Sequence, residues 1–155
     1  MNASGLFLAD AQATERAGAM LARCTGLDRV RQIHLEGDLG AGKTTLVRGF
    51  LRELGHVGAV RSPTYTLLEP YEFAKRTVLH FDLYRVADPD ELEYLGVREQ
   101  SDDRTLWLVE WPDRGAGWLP DPELVVRLWQ EGEGRRLLLS GPEAGRIGAE
   151  MGKFR

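Results

Sequence analysis

The segment GDLGAGKTT, residues 37–45, constrains the fold more than any other part of the chain. Before it, the apolar residues Val30, Ile33 and Leu35 predict a short strand. After it, apolar residues recur with helical spacing at Leu46, Val47, Phe50, Leu51 and Leu54. Gly55 then ends the helical pattern. The sequence therefore predicts a strand, a glycine-rich loop and a helix in direct succession.

This loop fits the phosphate-binding pattern Gly-x4-Gly-Lys-Thr. Its glycines let backbone N–H groups turn toward phosphate oxygens at the N-terminus of the following helix. Lys43 would bridge the β- and γ-phosphates of a nucleotide, and the Thr44 hydroxyl would bind Mg²⁺. The alternative is a glycine cap followed by an unrelated helix. The predicted cofactor-binding residues are Asp38, Leu39, Gly40, Ala41, Gly42, Lys43, Thr44 and Thr45.

Two carboxylates end predicted strands and are candidates for a metal site. Asp82 closes the run VLHFD, and Glu110 closes the run LWLVE. Ligands of open α/β sheets bind at the carboxyl ends of strands, where an Mg²⁺-dependent NTPase needs an acid. Either acid could instead cap a turn or pair with an arginine. The predicted metal-binding residues are Thr44, Asp82 and Glu110.

A second loop, residues 62–66 with the sequence SPTYT, contains another candidate hydroxyl ligand. Pro63 lacks a backbone donor, and serine and threonine side chains bond locally, so a shaped loop is expected. Thr64 would bind Mg²⁺ on a loop that responds to the nucleotide, or it would only stabilise a turn. The candidate catalytic residues are Lys43, Thr64, Asp82 and Glu110.

Other segments predict the rest of the fold. Residues 10–24 have the apolar spacing of an amphipathic helix, and residues 88–96 carry the capping signals of a short one. Residues 105–111 are typical of a strand covered on both faces. Two hairpins are predicted, from residues 67–73 with 77–83 and from residues 123–129 with 135–139. The glycine-rich end, about residues 141–155, is expected to fray.

Length, charge and composition favour a single domain and disfavour binding to nucleic acid or membranes. A chain of 155 residues with 43% hydrophobic residues fits one domain, residues 1–155. Its net charge of −4 opposes direct binding to nucleic acid or anionic membranes. Cys24 is the only cysteine, no apolar run is long enough for a membrane helix, and a basic signal-peptide segment is missing. We therefore expect a cytoplasmic protein that does not bind membranes.

The positions of the histidines and tryptophans indicate roles in packing or at a partner surface rather than in catalysis. None of the three histidines has the spacing of a triad or metal site, and His80 is expected to pack in the core without a catalytic role. Trp107 and Trp129 lie in predicted strands and are expected in the core. Trp111 and Trp118 flank a loop with proline and glycine and are expected to be more exposed, where tryptophan is typical of a partner surface.

Several motifs together resemble one known family. The segments GDLGAGKTT, SPTYTLLEPY, HFDLYR, DELEYLG and VEWPDR follow one another in the order and spacing of the TsaE (YjeE) family of bacterial ATPases. The resemblance extends from the first predicted helix to the final hairpin. Such proteins serve the synthesis of threonylcarbamoyladenosine on tRNAs that read codons beginning with adenine. They act with the TsaB and TsaD subunits that transfer the threonylcarbamoyl group.

The resemblance implies a fold and an activity. The fold is α/β, a single-domain P-loop NTPase-like sheet with central parallel strands, added antiparallel strands or hairpins, and flanking helices. The activity is Mg²⁺-dependent ATP binding and hydrolysis by an accessory subunit. This ATPase would be slow without TsaB and TsaD and would meet tRNA only through their complex.

The resemblance also implies roles for single residues. Lys43 and Thr44 would hold the phosphates and Mg²⁺, and Thr64 would belong to a switch-like loop. Asp82 would be the acid on the metal side and Glu110 a further active-site acid, although the two could exchange roles.

Two other functions fit a phosphate-binding loop. A small-molecule P-loop kinase would need an acceptor pocket and usually a helical lid with arginines, whereas the C-terminal third here predicts strands. A regulator that binds nucleotide without hydrolysis would not need an acid such as Glu110. Adenine is expected over guanine, because the guanine-reading motif Asn-Lys-x-Asp needs an asparagine and the only one is Asn2.

Overall fold

The structure is a computed structural model that describes residues 5–26 and 28–153. The strands are β1 (Leu6–Leu8), β2 (Gln32–Glu36), β3 (Leu68–Glu72), β4 (Thr77–Asp82), β5 (Thr105–Glu110), β6 (Leu124–Glu131) and β7 (Gly134–Ser140). The α-helices are α1 (Ala11–Cys24), α2 (Lys43–Glu53), α3 (Val97–Gln100) and α4 (Ala144–Gly152). Two 3₁₀ helices span Pro89–Leu95 and Pro112–Gly115.

The seven strands of the described residues form one mixed sheet in the order β1-β7-β6-β2-β5-β4-β3. The four central strands, β6, β2, β5 and β4, pair with one another in parallel. The outer pairs β3 with β4, β6 with β7 and β7 with β1 are antiparallel. This arrangement confirms the expected α/β fold with a parallel centre, antiparallel additions and flanking helices.

Strand β5 is one of the central parallel strands, and its side chains pack on both faces of the sheet. All six of its residues are buried, as its continuous apolar run predicts. Leu106 and Leu108 pack in the core that includes α1, α2 and α4. Trp107 and Val109 point to the opposite face and pack in a second core that includes Phe81 of β4 and Leu92 of the first 3₁₀ helix. Successive residues of a strand alternate between faces, so each face has its own core.

Helices α1 and α2 pack so closely that their contact requires glycine. A Cβ atom at Gly49 in α2 would lie 1.9 Å from the carbonyl oxygen of Glu15 in α1. A Cβ at Gly18 in α1 would lie 2.0 Å from the carbonyl oxygen of Leu46 in α2. The two glycines therefore allow α1 to support the helix that begins at the phosphate-binding motif.

The expected frayed end is wrong for residues 144–152, which form α4. Ala144, Ile147 and Met151 of this helix are buried in the core that also contains α1. Their spacing places them on one face, so burial of that face stabilises the helix despite its glycines. Residues 154–155 lie outside the described part of the chain.

Two of the four expectations for tryptophan are also wrong. Trp118 is only 6% exposed, because its ring stacks on Trp107 and its Nε1–H donates to Glu93 at 2.8 Å. Trp129 is 36% exposed near the end of β6. Trp107 is buried as expected, and Trp111 is half-buried. Within the described ranges, no helix is long and apolar enough to cross a membrane.

Candidate nucleotide site

The loop between β2 and α2 has the backbone geometry that its glycines predict. Gly42 has a φ of 108°, in the left-handed region where glycine is favoured, and α2 begins at the next residue. A Cβ at Gly37 would lie 2.5 Å from the carbonyl oxygen of Leu128 in β6. The loop therefore lies against β6 and leads into the helix N-terminus, as a phosphate site requires.

The side chain of Lys43 contacts this loop and Trp111. Its side chain is buried, with 5% of the residue exposed, and its Nζ donates a hydrogen bond to the carbonyl oxygen of Gly37. The same Nζ lies 3.9 Å from the ring centroid of Trp111, a cation–π contact. Trp111 adopts a left-handed backbone with a φ of 56°, which is uncommon for a bulky residue and is typical of functional positions.

The electrostatic surroundings of Lys43 are acidic. Burial lowers the pKa of its ammonium group, while the carboxylates of Glu110, Asp82, Asp38 and Asp113 oppose that shift, in decreasing order. These four acids come from three separate parts of the chain. An ammonium group surrounded in this way is available to neutralise the charge of a phosphate.

The two predicted acids lie side by side at the edge of the sheet where the parallel strands have their carboxyl ends. Asp82 ends β4 and Glu110 ends β5, and the two residues are register partners in this parallel pair. Both are buried. The carboxylate of Asp82 accepts a hydrogen bond from the backbone N–H of Tyr84 at 3.0 Å. The structure therefore brings the two acids together near Lys43.

The loop of residues 62–66 reaches the same edge. The hydroxyl of Thr64 donates to Asp82 Oδ2 at 3.4 Å, and that of Ser62 does so at 3.5 Å, both long hydrogen bonds. The two hydroxyls lie 2.8 Å apart. Thr64 therefore bonds locally to Ser62 and also contacts the acid Asp82.

The candidate metal ligands are oxygen donors, which suit Mg²⁺ rather than a softer metal. The candidates are hydroxyl and carboxylate oxygens, from Thr44 in the first turn of α2, Thr64, Asp82 and Glu110. Among the described residues, no group of three or more His, Cys, Asp or Glu side chains could hold a metal ion by itself. Magnesium that is bound by one or two carboxylates together with substrate phosphates needs no such group.

Two contacts at the site were not predicted from the sequence. His80 Nε2 lies 2.6 Å from Glu110 Oε2, whereas the sequence indicated only a packed core residue. The signal for it was strand alternation, which puts positions 80 and 82 on the same face of β4. Arg135 in β7 donates to the carbonyl oxygens of Ala41 and Gly40 at 3.0 and 3.1 Å. Only the tertiary fold brings this arginine to the loop.

Open space adjoins the loop on the side of β6. A cavity of about 510 Å³ is lined by loop residues 37–41, by Trp111 and by residues 127–130 of β6, including Trp129. A smaller space of about 120 Å³ lies between Asp10, Gly42, Thr45 and Arg135. Residues 38–41 of the predicted cofactor-binding segment line the larger space, and Gly42 and Thr45 line the smaller one.

Comparison with known proteins gives one consistent family. The sequence model described as threonylcarbamoyl adenosine biosynthesis protein TsaE matches residues 8–138. A Haemophilus influenzae protein named tRNA threonylcarbamoyladenosine biosynthesis protein TsaE is 48% identical over 101 residues, which are 65% of this chain and 64% of that protein. A Synechocystis protein of the same name is 43% identical over 117 residues, 73% of each chain.

A solved structure supports the fold independently. The crystal structure of YdiB from Bacillus subtilis superposes with a TM-score of 0.72 at 24% identity, covering 96% of this chain and 93% of that one. At this identity the likeness concerns the fold alone. Because the family model matches most of the chain, this protein belongs to the TsaE family of threonylcarbamoyl adenosine biosynthesis proteins.

Proposed function

We propose that this protein binds ATP with Mg²⁺ at the loop of residues 37–45 and hydrolyses it as a subunit of the machinery that makes threonylcarbamoyladenosine on tRNA. The observation that carries the proposal is the position of Lys43 between the loop and two adjacent acids, Asp82 and Glu110. Each part has a counterpart in phosphoryl transfer, where positioning and charge neutralisation supply most of the catalysis. The pathway comes from the family and from the names of its relatives.

The residues fit the group that they would bind. Backbone N–H groups of residues 38–45 and the Lys43 ammonium would hold the phosphates. The Thr44 hydroxyl and Asp82 would hold Mg²⁺, which when bound neutralises phosphate charge. Glu110 would accept a hydrogen bond from the attacking water. Thr64 would couple the state of the nucleotide to the conformation of its loop, residues 62–66.

We expect protein partners, rather than tRNA alone, to respond to whether ATP or ADP is bound. The net charge of −4 opposes direct contact with tRNA phosphates. Proteins of the TsaB and TsaD type are the proposed partners, and we expect the complex to act in the cytoplasm. The loop of residues 62–66 is suited to this role, because it contacts Asp82 and exposes Tyr65.

A small-molecule kinase is the alternative within the same class of site. Residues 124–140 form the hairpin of β6 and β7, in the part of the chain where a kinase would be expected to have a helical lid. Phosphate release and product analysis separate the two functions. We expect ATP and Mg²⁺ to give free phosphate without any acceptor, and GTP to compete weakly. Phosphate that appears only as a phosphorylated acceptor would support the kinase.

A further inference from the structure

His80 is the most deeply buried ionisable side chain at this edge of the sheet. It is 0% exposed, and its Nε2 lies 2.6 Å from Oε2 of Glu110, which is itself 2% exposed. His80 in β4 faces Leu108 in register, and Glu110 lies two residues further along β5 on the same face. The contact is thus a diagonal one between adjacent parallel strands, fixed by the register of the sheet.

We infer that His80 is a positioning residue, whose Nε2–H donates to Glu110 and holds that carboxylate in one orientation beside Lys43. The inference rests on the function proposed above, because it assigns a role within that site. A carboxylate that accepts a bond on Oε2 keeps the lone pairs of Oε1 for the nucleotide side. The same logic applies to ligands in metal sites, which are oriented by buried hydrogen-bond partners.

The other ring nitrogen of His80 supports this assignment of the proton. Among the described residues, no group makes a hydrogen bond to the buried His80 Nδ1. A proton placed on Nδ1 would be a buried donor without an acceptor, whereas an unprotonated Nδ1 leaves only a lone pair unused. The tautomer with the proton on Nε2 therefore suits this environment best, and it makes His80 the donor and Glu110 the acceptor.

His34 provides a matched control. It is also a buried histidine of a central strand, with 8% exposure, and its Nε2 has no hydrogen-bond partner among the described residues. In register it faces Val109, which packs in the core of the opposite face. His34 thus resembles His80 in burial and strand position, but it lies on the other side of the sheet from Glu110.

The first test compares His80→Leu, His80→Gln and His34→Leu in the full chain. Glutamine can place an amide N–H near the position of Nε2, whereas leucine cannot donate. We expect His80→Leu to lower kcat for ATP hydrolysis about 10- to 100-fold, the usual range for loss of a supporting hydrogen bond. KM and the affinity for a fluorescent ADP analogue should change less than about twofold. His80→Gln should recover most of kcat, and His34→Leu should retain it.

A double-substitution cycle shows whether His80 acts through Glu110. In a Glu110→Gln background, we expect His80→Leu to lower kcat by less than about twofold, because the carboxylate that it orients is already gone. An equal loss in both backgrounds would overturn the inference. Wild-type kcat in His80→Leu, or equal impairment of the leucine and glutamine variants, would overturn it as well.

A measurement without ATP turnover separates this inference from the proposed function. Long-range ¹H–¹⁵N correlation spectra of the histidine rings should show His80 protonated on Nε2, and Glu110→Gln should shift those signals but not those of His34. Protonation of His80 on Nδ1 would overturn the inference. If the wild-type protein hydrolyses no ATP in any mixture, the proposed function fails, and the ring spectra still decide the contact. The ring spectra also test the contact between His80 and Glu110 if the His80→Leu variant fails to fold.

Discussion

Asp82 and Glu110 are paired residues of two adjacent parallel strands, so two buried carboxylates lie next to each other at the edge of the sheet. Both carboxylates act on the ammonium group of Lys43, where they oppose the lowering of its pKa by burial. The two acids and Lys43 therefore form one charged cluster at the carboxyl ends of β4 and β5.

Removal of the Lys43 ammonium group should weaken nucleotide binding. Lys43→Ala deletes a charge-assisted contact of the kind that contributes about 1.5–3 kcal/mol, so the Kd for an ATP analogue should rise roughly 10- to 100-fold. Hydrolysis should also slow. Fluorescence titration measures the Kd, and Lys75→Ala, in the exposed turn between β3 and β4, is the control. An unchanged Kd in Lys43→Ala would show that the loop does not bind phosphates through this residue.

Neutral variants of the two acids should separate catalysis from binding. Asp82→Asn and Glu110→Gln keep side-chain size but lose charge, so each should reduce Mg²⁺-dependent phosphate release by at least about tenfold. ADP binding measured without Mg²⁺ should persist, because the loop is intact. Glu72→Gln, at the exposed end of β3, serves as the control. Normal turnover in both variants would show that the catalytic site has been assigned to the wrong residues.

The sequence predicted the elements whose signals are local. Residues 37–45 and their flanking strand and helix were predicted because glycine positions, strand run and helical spacing all lie within one segment. Helix α4 was not, since its glycines favoured an irregular end and only contact with the rest of the core stabilises its apolar face. The His80 contact needs the register of β4 against β5, and the Arg135 contact needs β7 next to β6. Neither register can be read from one strand.

The close packing of α1 on α2 predicts a large effect of one methyl group. Gly49→Ala would place its Cβ 1.9 Å from the carbonyl oxygen of Glu15, so the helices must separate. We expect a loss of about 1–3 kcal/mol in the free energy of unfolding. Gly145→Ala in α4, where nothing lies within 4 Å of the new Cβ, should instead stabilise the protein by about 0.4–1 kcal/mol. Chemical denaturation measures both, and similar effects at the two sites would contradict this account of the helix contact.

His34 predicts a specific dependence of stability on pH. Burial lowers its pKa to about 4 from 6.5, although Glu123 and Asp121 oppose the shift. As pH falls through 6.5, the unfolded chain takes up a proton that the native state does not, so stability is lost between pH 6.5 and 4. The loss assigned to His34 should be about 2 kcal/mol between pH 7.5 and 5. Unfolding free energies of wild type and His34→Leu at both pH values test this, and equal pH dependence in the two proteins would refute it.

Steady-state phosphate release tests the central proposal most directly. The wild-type chain is measured with ATP and Mg²⁺ alone, with proteins of the TsaB and TsaD type, and with tRNA only, and Lys43→Ala is measured in every mixture. We expect slow, Mg²⁺-dependent release from the chain alone, faster release with the protein partners, no stimulation by tRNA only, and loss of release in Lys43→Ala. Stimulation by tRNA without the proteins, or no release by wild type in any mixture, would contradict the account.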